Sequence, residues 1–182
     1  MKLIVKDLTG QTRLWFGEKG IELRTRILAE VKKEKETKLL RVDLQGIEVT
    51  DTSYAREAFV NLVGLIGTEV ERPQILFANV KQHVKENMHL SFKEHKKFTL
   101  ITDEDGEWNL IGKFSEQLSE TVKVLVQMKE ARATEIKKKL KEEVELSALN
   151  NRLANLHEMC VVHRSAGAHD SGGIEYTYTL QL

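Results

Sequence analysis

The first 112 residues alternate between two hydrophobic periods, and that alternation limits the fold more than any other feature of the chain. Leu3, Ile4 and Val5 give a strand signal over Met1–Leu8, and Arg13–Phe16 carries a second, shorter one. From Ile21 to Glu34, Ile27, Leu28 and Val31 share one helical face before the segment ends in charges. Leu39–Leu44 is an apolar run that turns at Gln45-Gly46, as a central strand does. Ala55, Ala58, Phe59, Leu62, Val63 and Ile66 then recur at helical spacing, which predicts a helix from Thr52 to about Gly67. Gln74–Val80 reads as a strand, Lys81–Lys96 as a helix with Val84, Met88 and Phe92 on one side, and Phe98–Thr102 as a strand. Asp105-Gly106 signals a hairpin turn before a last strand at Glu107–Ile111. Strands and helices in this order predict an α/β layer around a parallel or mixed sheet.

Past Gly112 the pattern changes. Phe114, Leu118, Val122, Leu125 and Val126 predict a helix from about Ser115 to Lys129. Thr134 is placed to cap a second helix with Ile136 and Leu140 inward, and Leu146, Leu149, Leu153 and Leu156 mark a third. The period then falls to two: Ile174, Tyr176, Tyr178, Leu180 and Leu182 alternate with polar residues in a half-buried strand, and Val161-Val162 supplies a short partner strand. Between them, Ser165–Gly173 has the composition of a loop. The division falls near Gly112–Ser115, giving an α/β domain over 1–112 and a helix–hairpin domain over 113–182.

Charge narrows the function. Lys+Arg and Asp+Glu both number 28, so contact with nucleic acid or a membrane rests on a local patch, not on a chain-wide basic field. A single cysteine excludes an internal disulfide framework and a four-cysteine zinc site, and fits a reducing compartment. No apolar run approaches the roughly 20 residues of a membrane helix. The opening residues are too charged for a signal peptide. These features lead us to expect a cytoplasmic protein without a membrane partner.

Three helices followed by a hairpin, with Ala133-Thr134-Glu135-Ile136-Lys137-Lys138-Lys139-Leu140 leading through a short turn to Leu146–Leu153 and on to Met159–Arg164, resemble the winged helix-turn-helix of bacterial and archaeal transcriptional regulators. The resemblance implies that the third helix reads DNA. Ser147, Ala148, Asn150, Asn151, Arg152 and Asn155 lie off its leucine stripe. Asparagine pairs with adenine edges and arginine with guanine, so this face suits base reading. Lys137, Lys138, Lys139 and Lys141 on the preceding helix are placed for phosphates, and Arg164, His169 and Ser171 of the wing for the minor groove or backbone. The same element order also serves protein docking. From Lys113 onward ten basic residues face ten acidic ones, an even balance for a DNA binder, so a non-DNA-binding adaptor stands as the alternative.

In the first half, Val42-Asp43-Leu44-Gln45-Gly46 leads through Ile47–Thr50 to Asp51-Thr52-Ser53-Tyr54-Ala55. This looks like the STAS domain of anti-sigma factor antagonists, and more closely like STAS-like domains of unknown function. There an Asp-Ser-Ser-Gly motif at the helix start carries the residue that a partner kinase phosphorylates. Thr52 matches that residue, flanked by Asp51 and Ser53, while Tyr54 stands where the antagonists have glycine. Phosphate at a helix N-terminus adds nearly two negative charges where the backbone favours an anion. Residues of these types also simply cap helices.

Together these readings predict a STAS-like mixed sheet with helices followed by a winged helix-turn-helix. The expected partners are double-stranded DNA, an ATPase of the anti-sigma kinase type and a second copy of the chain. No catalytic constellation, phosphate loop or nucleophile elbow is present in the sequence, and we expect neither enzyme activity nor a cofactor. His157, Cys160 and His163 have metal-like spacing but need not converge, and His83, His89 and His95 do not keep one face. Trp15, Trp108 and the tyrosines of the last strand are expected to pack.

Overall fold

The elements follow the predicted alternation: β1 (Lys2–Ile4), α1 (Val5–Thr9), β2 (Arg13–Leu14), α2 (Gly17–Lys33), β3 (Leu39–Asp43), β4 (Val49–Thr50), α3 (Thr52–Ala55), a π-helical turn (Arg56–Val60), α4 (Asn61–Glu69), β5 (Gln74–Val80), α5 (Gln82–Glu94), β6 (Phe98–Asp103) and β7 (Trp108–Gly112). Then come α6 (Glu116–Met128), β8 (Glu130–Arg132), α7 (Ala133–Lys139), α8 (Leu146–Glu158), β9 (His163–Ala168) and β10 (Ile174–Thr179). The structure, a computed structural model, describes residues 1–34, 36–168 and 174–182. Among them no helix is long and apolar enough to cross a membrane.

The molecule is α/β with a mixed sheet, as its periodicity predicts. The main sheet runs in the order β1-β3-β5-β6-β7; its first four strands are parallel and β7 returns antiparallel. Its two faces bury different things. Leu40, Val42, Ile75, Phe77, Ile101 and Ile111 point into a core closed by α2, the long helix that begins at Thr52, and α5. Their strand neighbours Leu76, Phe98 and Leu100 point the other way, into a second core with Leu118, Val122, Leu149, Leu153 and Leu156 of the C-terminal helices. Side chains alternate along a strand, so a sheet buried on both faces must carry apolar residues at successive positions. Gln-Ile-Leu-Phe-Ala-Asn-Val in β5 does so.

The division near Gly112 is therefore a change of architecture within a shared core. Backbone bonds stitch the seam: the Ile75 N–H donates to the Cys160 carbonyl at 2.7 Å. Side chains add to it: Nε2 of Gln74 donates to the Gln181 carbonyl at 2.7 Å, and Oε1 of Gln74 accepts from the Gln181 N–H at 2.9 Å. Arg72 donates to the Glu158 carbonyl. Cys160 takes a left-handed φ of 58° to make this turn, and its buried thiol is pushed up to about 12 by the loss of solvent.

Several local expectations are corrected. The strand predicted over Met1–Leu8 stops at Ile4, and Val5–Thr9 coils into a helical turn that ends at Gly10 with φ 68°. The strand expected at Val161-Val162 begins instead at His163, and Val161 and Val162 are buried before it. Thr134 does not cap α7: Arg132 is the N-cap residue, and its N–H donates to the Glu135 carboxylate at 2.7 Å. Trp15, expected to pack, is 42% exposed just past the end of β2. The helix from Thr52 carries the π-helical turn and runs on to Glu69. A side chain at Gly20 would bring a Cβ within 2.8 Å of the Tyr54 carbonyl, so α2 meets this helix backbone to backbone.

Candidate functional site

An open groove of about 520 Å³ lies in the C-terminal half between α8, the start of α7 and the β9–β10 hairpin. It exists because α8 is two-sided. Leu149, Leu153 and Leu156 are fully buried, whereas Ser147, Ala148, Asn150, Asn151, Ala154 and Asn155 face outward. Asn150 and Asn151 line the groove on one wall; Arg164, Ile174 and Tyr176 line the other. β10 is the middle strand of a three-stranded sheet, paired with β8 on one side and β9 on the other. That sheet fixes the hairpin beside α8.

Most of the residues singled out on the third helix are thus presented together. Arg152 is not among the exposed ones: it is half-buried and ion-paired with Glu142 in the turn before α8, so its guanidinium is already engaged. Lys137 and Lys138 are exposed, with Lys139, in the last turn of α7. Arg164 lies 4.4 Å above the Tyr176 ring, a cation–π contact that orients it over the groove. Arg132 pairs with Glu175 at 3.0 Å. His169 and Ser171 of the expected wing lie outside the described residues.

The sequence reading missed Leu146, Ile174 and Tyr176 as surface. Period two does place Ile174, Tyr176, Tyr178 and Leu180 on one face, but β10 outruns the core. Tyr178 and Leu180 are buried while Ile174 is 71% exposed, so the apolar stripe continues out of the protein and becomes the groove wall.

At the other candidate site, Asp51 is the N-cap of α3. Its carboxylate accepts from the Tyr54 N–H at 2.6 Å, the Ser53 hydroxyl at 2.7 Å and, through the second oxygen, the Phe16 N–H at 2.8 Å. Ser53 is thereby occupied, and Thr52 is the exposed hydroxyl of the pair. Tyr54 is buried between α2 and the helix, where a glycine would leave a hole. Phe16 is exposed and holds a left-handed φ of 71°, a conformation costly for an aromatic residue and pinned by Asp51.

Burial raises the Asp51 carboxyl, but the bonds from Tyr54, Ser53 and Phe16 outweigh it and hold the group below the ordinary aspartate value. A depressed carboxyl stabilises the fold above its unfolded-state value and loses that contribution as pH falls through the folded one. Asp51→Ala is therefore expected to cost about 1–2 kcal/mol near neutral pH. In urea melts at a series of pH values, the gap from wild type should close toward strongly acid pH; a gap independent of pH would remove the carboxylate from this role.

His157 and Cys160, whose spacing resembles that of metal ligands, each have a backbone carbonyl as neighbour. His157 faces the Val162 carbonyl through Nδ1 at 3.3 Å, and burial holds its ring below the ordinary histidine value. Cys160 turns toward the Val63 carbonyl. Among the described residues no three histidine, cysteine or acidic side chains come together as metal ligands would. No protein-family model matches the chain, and neither does any curated protein.

Proposed function

We propose that the protein is a DNA-binding transcriptional regulator: residues 113–182 form a winged helix-turn-helix and residues 1–112 a STAS-like domain that receives the signal. The observation that carries this reading is the outward face of α8, which sets Asn150 and Asn151 beside a hairpin bearing Arg164. The order α6, β8, α7, α8, β9, β10, with β10 between β8 and β9, supports it. In this reading α8 enters the major groove, Ser147, Ala148 and Asn155 flank the base-reading pair, and Lys137, Lys138 and Arg164 meet phosphates. A homodimer matches two half-sites.

The signal enters at Thr52, through a partner protein of the ATPase or kinase type. The helix that starts there passes through the π-helical turn to Val63, whose carbonyl meets the Cys160 thiol at the foot of α8. A charge placed at Thr52 acts on the first turn of an element that ends against the DNA-reading half.

Duplex DNA titrated in fluorescence anisotropy should bind at low salt, with an affinity that falls steeply as salt rises. The Asn150→Ala/Asn151→Ala double variant should weaken binding to a preferred sequence by roughly tenfold or more. A second reading, the non-DNA-binding adaptor, draws on the Arg152–Glu142 and Arg132–Glu175 pairs, which occupy two cations near the groove, and on exposed Ile174. Absence of binding to any duplex at low salt would select it.

A further inference from the structure

A cavity of about 200 Å³ opens between α1, α2 and the helix that begins at Thr52. Thr9 at the end of α1, Lys19, Glu22, Leu23 and Arg26 of α2, and Tyr54 line it. Tyr54 is only 1% exposed, with its ring in the core. Its hydroxyl has no hydrogen-bond partner among the described residues and is not closed off from solvent, so the oxygen is the point at which this buried side chain reaches the cavity. Burial, and after it the Glu22 carboxylate, push the phenol up to about 12, so at neutral pH it keeps a hydrogen to donate.

The charges around this hydroxyl do not balance. Lys19 and Glu22 answer one another at 2.7 Å. Arg26 forms no ion pair among the described residues. One nitrogen of its guanidinium donates to the Leu8 carbonyl, which leaves further N–H donors of the fork for a ligand. The Thr9 hydroxyl donates to the Val5 carbonyl at 2.9 Å. The wall therefore offers a guanidinium and a phenol hydrogen beside the buried Leu23, and it lacks an anion.

We propose that this cavity binds a short aliphatic carboxylate. The planar fork of Arg26 matches a carboxylate, the Tyr54 hydroxyl donates to one of the same oxygens, and the alkyl tail lies against Leu23. The volume is several times the roughly 30 Å³ of one water in the liquid, which leaves room for a tail of a few carbons. One unpaired cation and an apolar wall favour such a monoanion over the more highly charged inorganic phosphate. Tyr54 lies in the turn capped by Asp51, so an occupied cavity braces the turn that carries Thr52 against α1 and α2. The proposal stands apart from the DNA reading and is tested without DNA.

Amide NMR spectra of the whole chain, titrated with sodium butanoate at fixed ionic strength, should show saturable shifts, and butanamide, its neutral isostere, should cause none. Tyr54→Phe keeps the ring and removes only the hydroxyl. It should weaken butanoate by roughly three- to tenfold while the thermal midpoint stays close to that of wild type. Arg26→Gln, at an exposed position, should weaken it by roughly tenfold or more, and decides the matter if Tyr54→Phe unfolds the protein. Three results would overturn the proposal: no saturable shift with butanoate, equal binding of butanamide, or wild-type affinity in either folded variant. Saturable binding of sodium phosphate, with butanoate silent, would overturn it in favour of a phosphate site.

Discussion

Cutting the chain after Gly112 is expected to destroy the fold of both pieces. Leu76, Phe98 and Leu100 belong to the sheet, yet their burial depends on α6 and α8. Exposing three such side chains costs about 5–9 kcal/mol, at roughly 1.5–3 kcal/mol each, which is comparable to the whole stability of an ordinary domain. The isolated sheet half would also present these residues as a contiguous apolar face, an aggregation hazard. The intact protein should therefore unfold in a single transition seen alike by far-ultraviolet circular dichroism and by tryptophan fluorescence, and the fragment 1–112 should be aggregated or molten. A monomeric fragment with cooperative melting near that of the full chain would show that the halves are independent.

Phe77→Ala is the most damaging single substitution we expect, at about 3–5 kcal/mol. Phe77 is fully buried on the helix-covered face of β5, with edge-on contacts to Phe59 at 5.2 Å and Phe92 at 6.3 Å between ring centroids. Removing it leaves a cavity bounded by the sheet, the Thr52 helix and α5, and breaks two aromatic pairs. The thermal midpoint should fall by roughly 10 °C or more. Leu65→Ala, at an exposed position of α4, should change stability by about 0.5 kcal/mol or less and serves as the control. A loss under about 1 kcal/mol for Phe77→Ala would contradict the placement of β5 at the centre of the sheet.

What the sequence made legible was periodicity. Strands buried on both faces and helices with one apolar stripe carry their own signature, and β3, β5, β6, α5 and α8 fall where Leu39–Leu44, Gln74–Val80, Phe98–Thr102, Lys81–Lys96 and the leucine stripe predict. Periodicity is silent on which surfaces meet. Nothing in Gln74 or Cys160 announces that they lie across one seam, 86 positions apart in the chain, and nothing in Leu100 says that its face is covered by α6 and α8 rather than by solvent. Capping was misassigned at Thr134 because the helix starts earlier, at Ala133, where the Glu135 carboxylate reaches back to the Arg132 N–H. On α8 the exposed asparagines were readable from spacing. The engagement of Arg152 by Glu142 was not, since it depends on how the α7–α8 turn folds back.

The proposed role rests on α8 as a reader of DNA sequence. Fragments of the source genome should be incubated with the purified full-length protein at near-physiological salt, recovered with it and sequenced, in parallel with Asn150→Ala/Asn151→Ala. Recovery of a discrete set of fragments sharing one motif, lost in the double variant while the protein stays folded, is the predicted result. Recovery that is uniform across the genome, or identical for the two proteins, would contradict it.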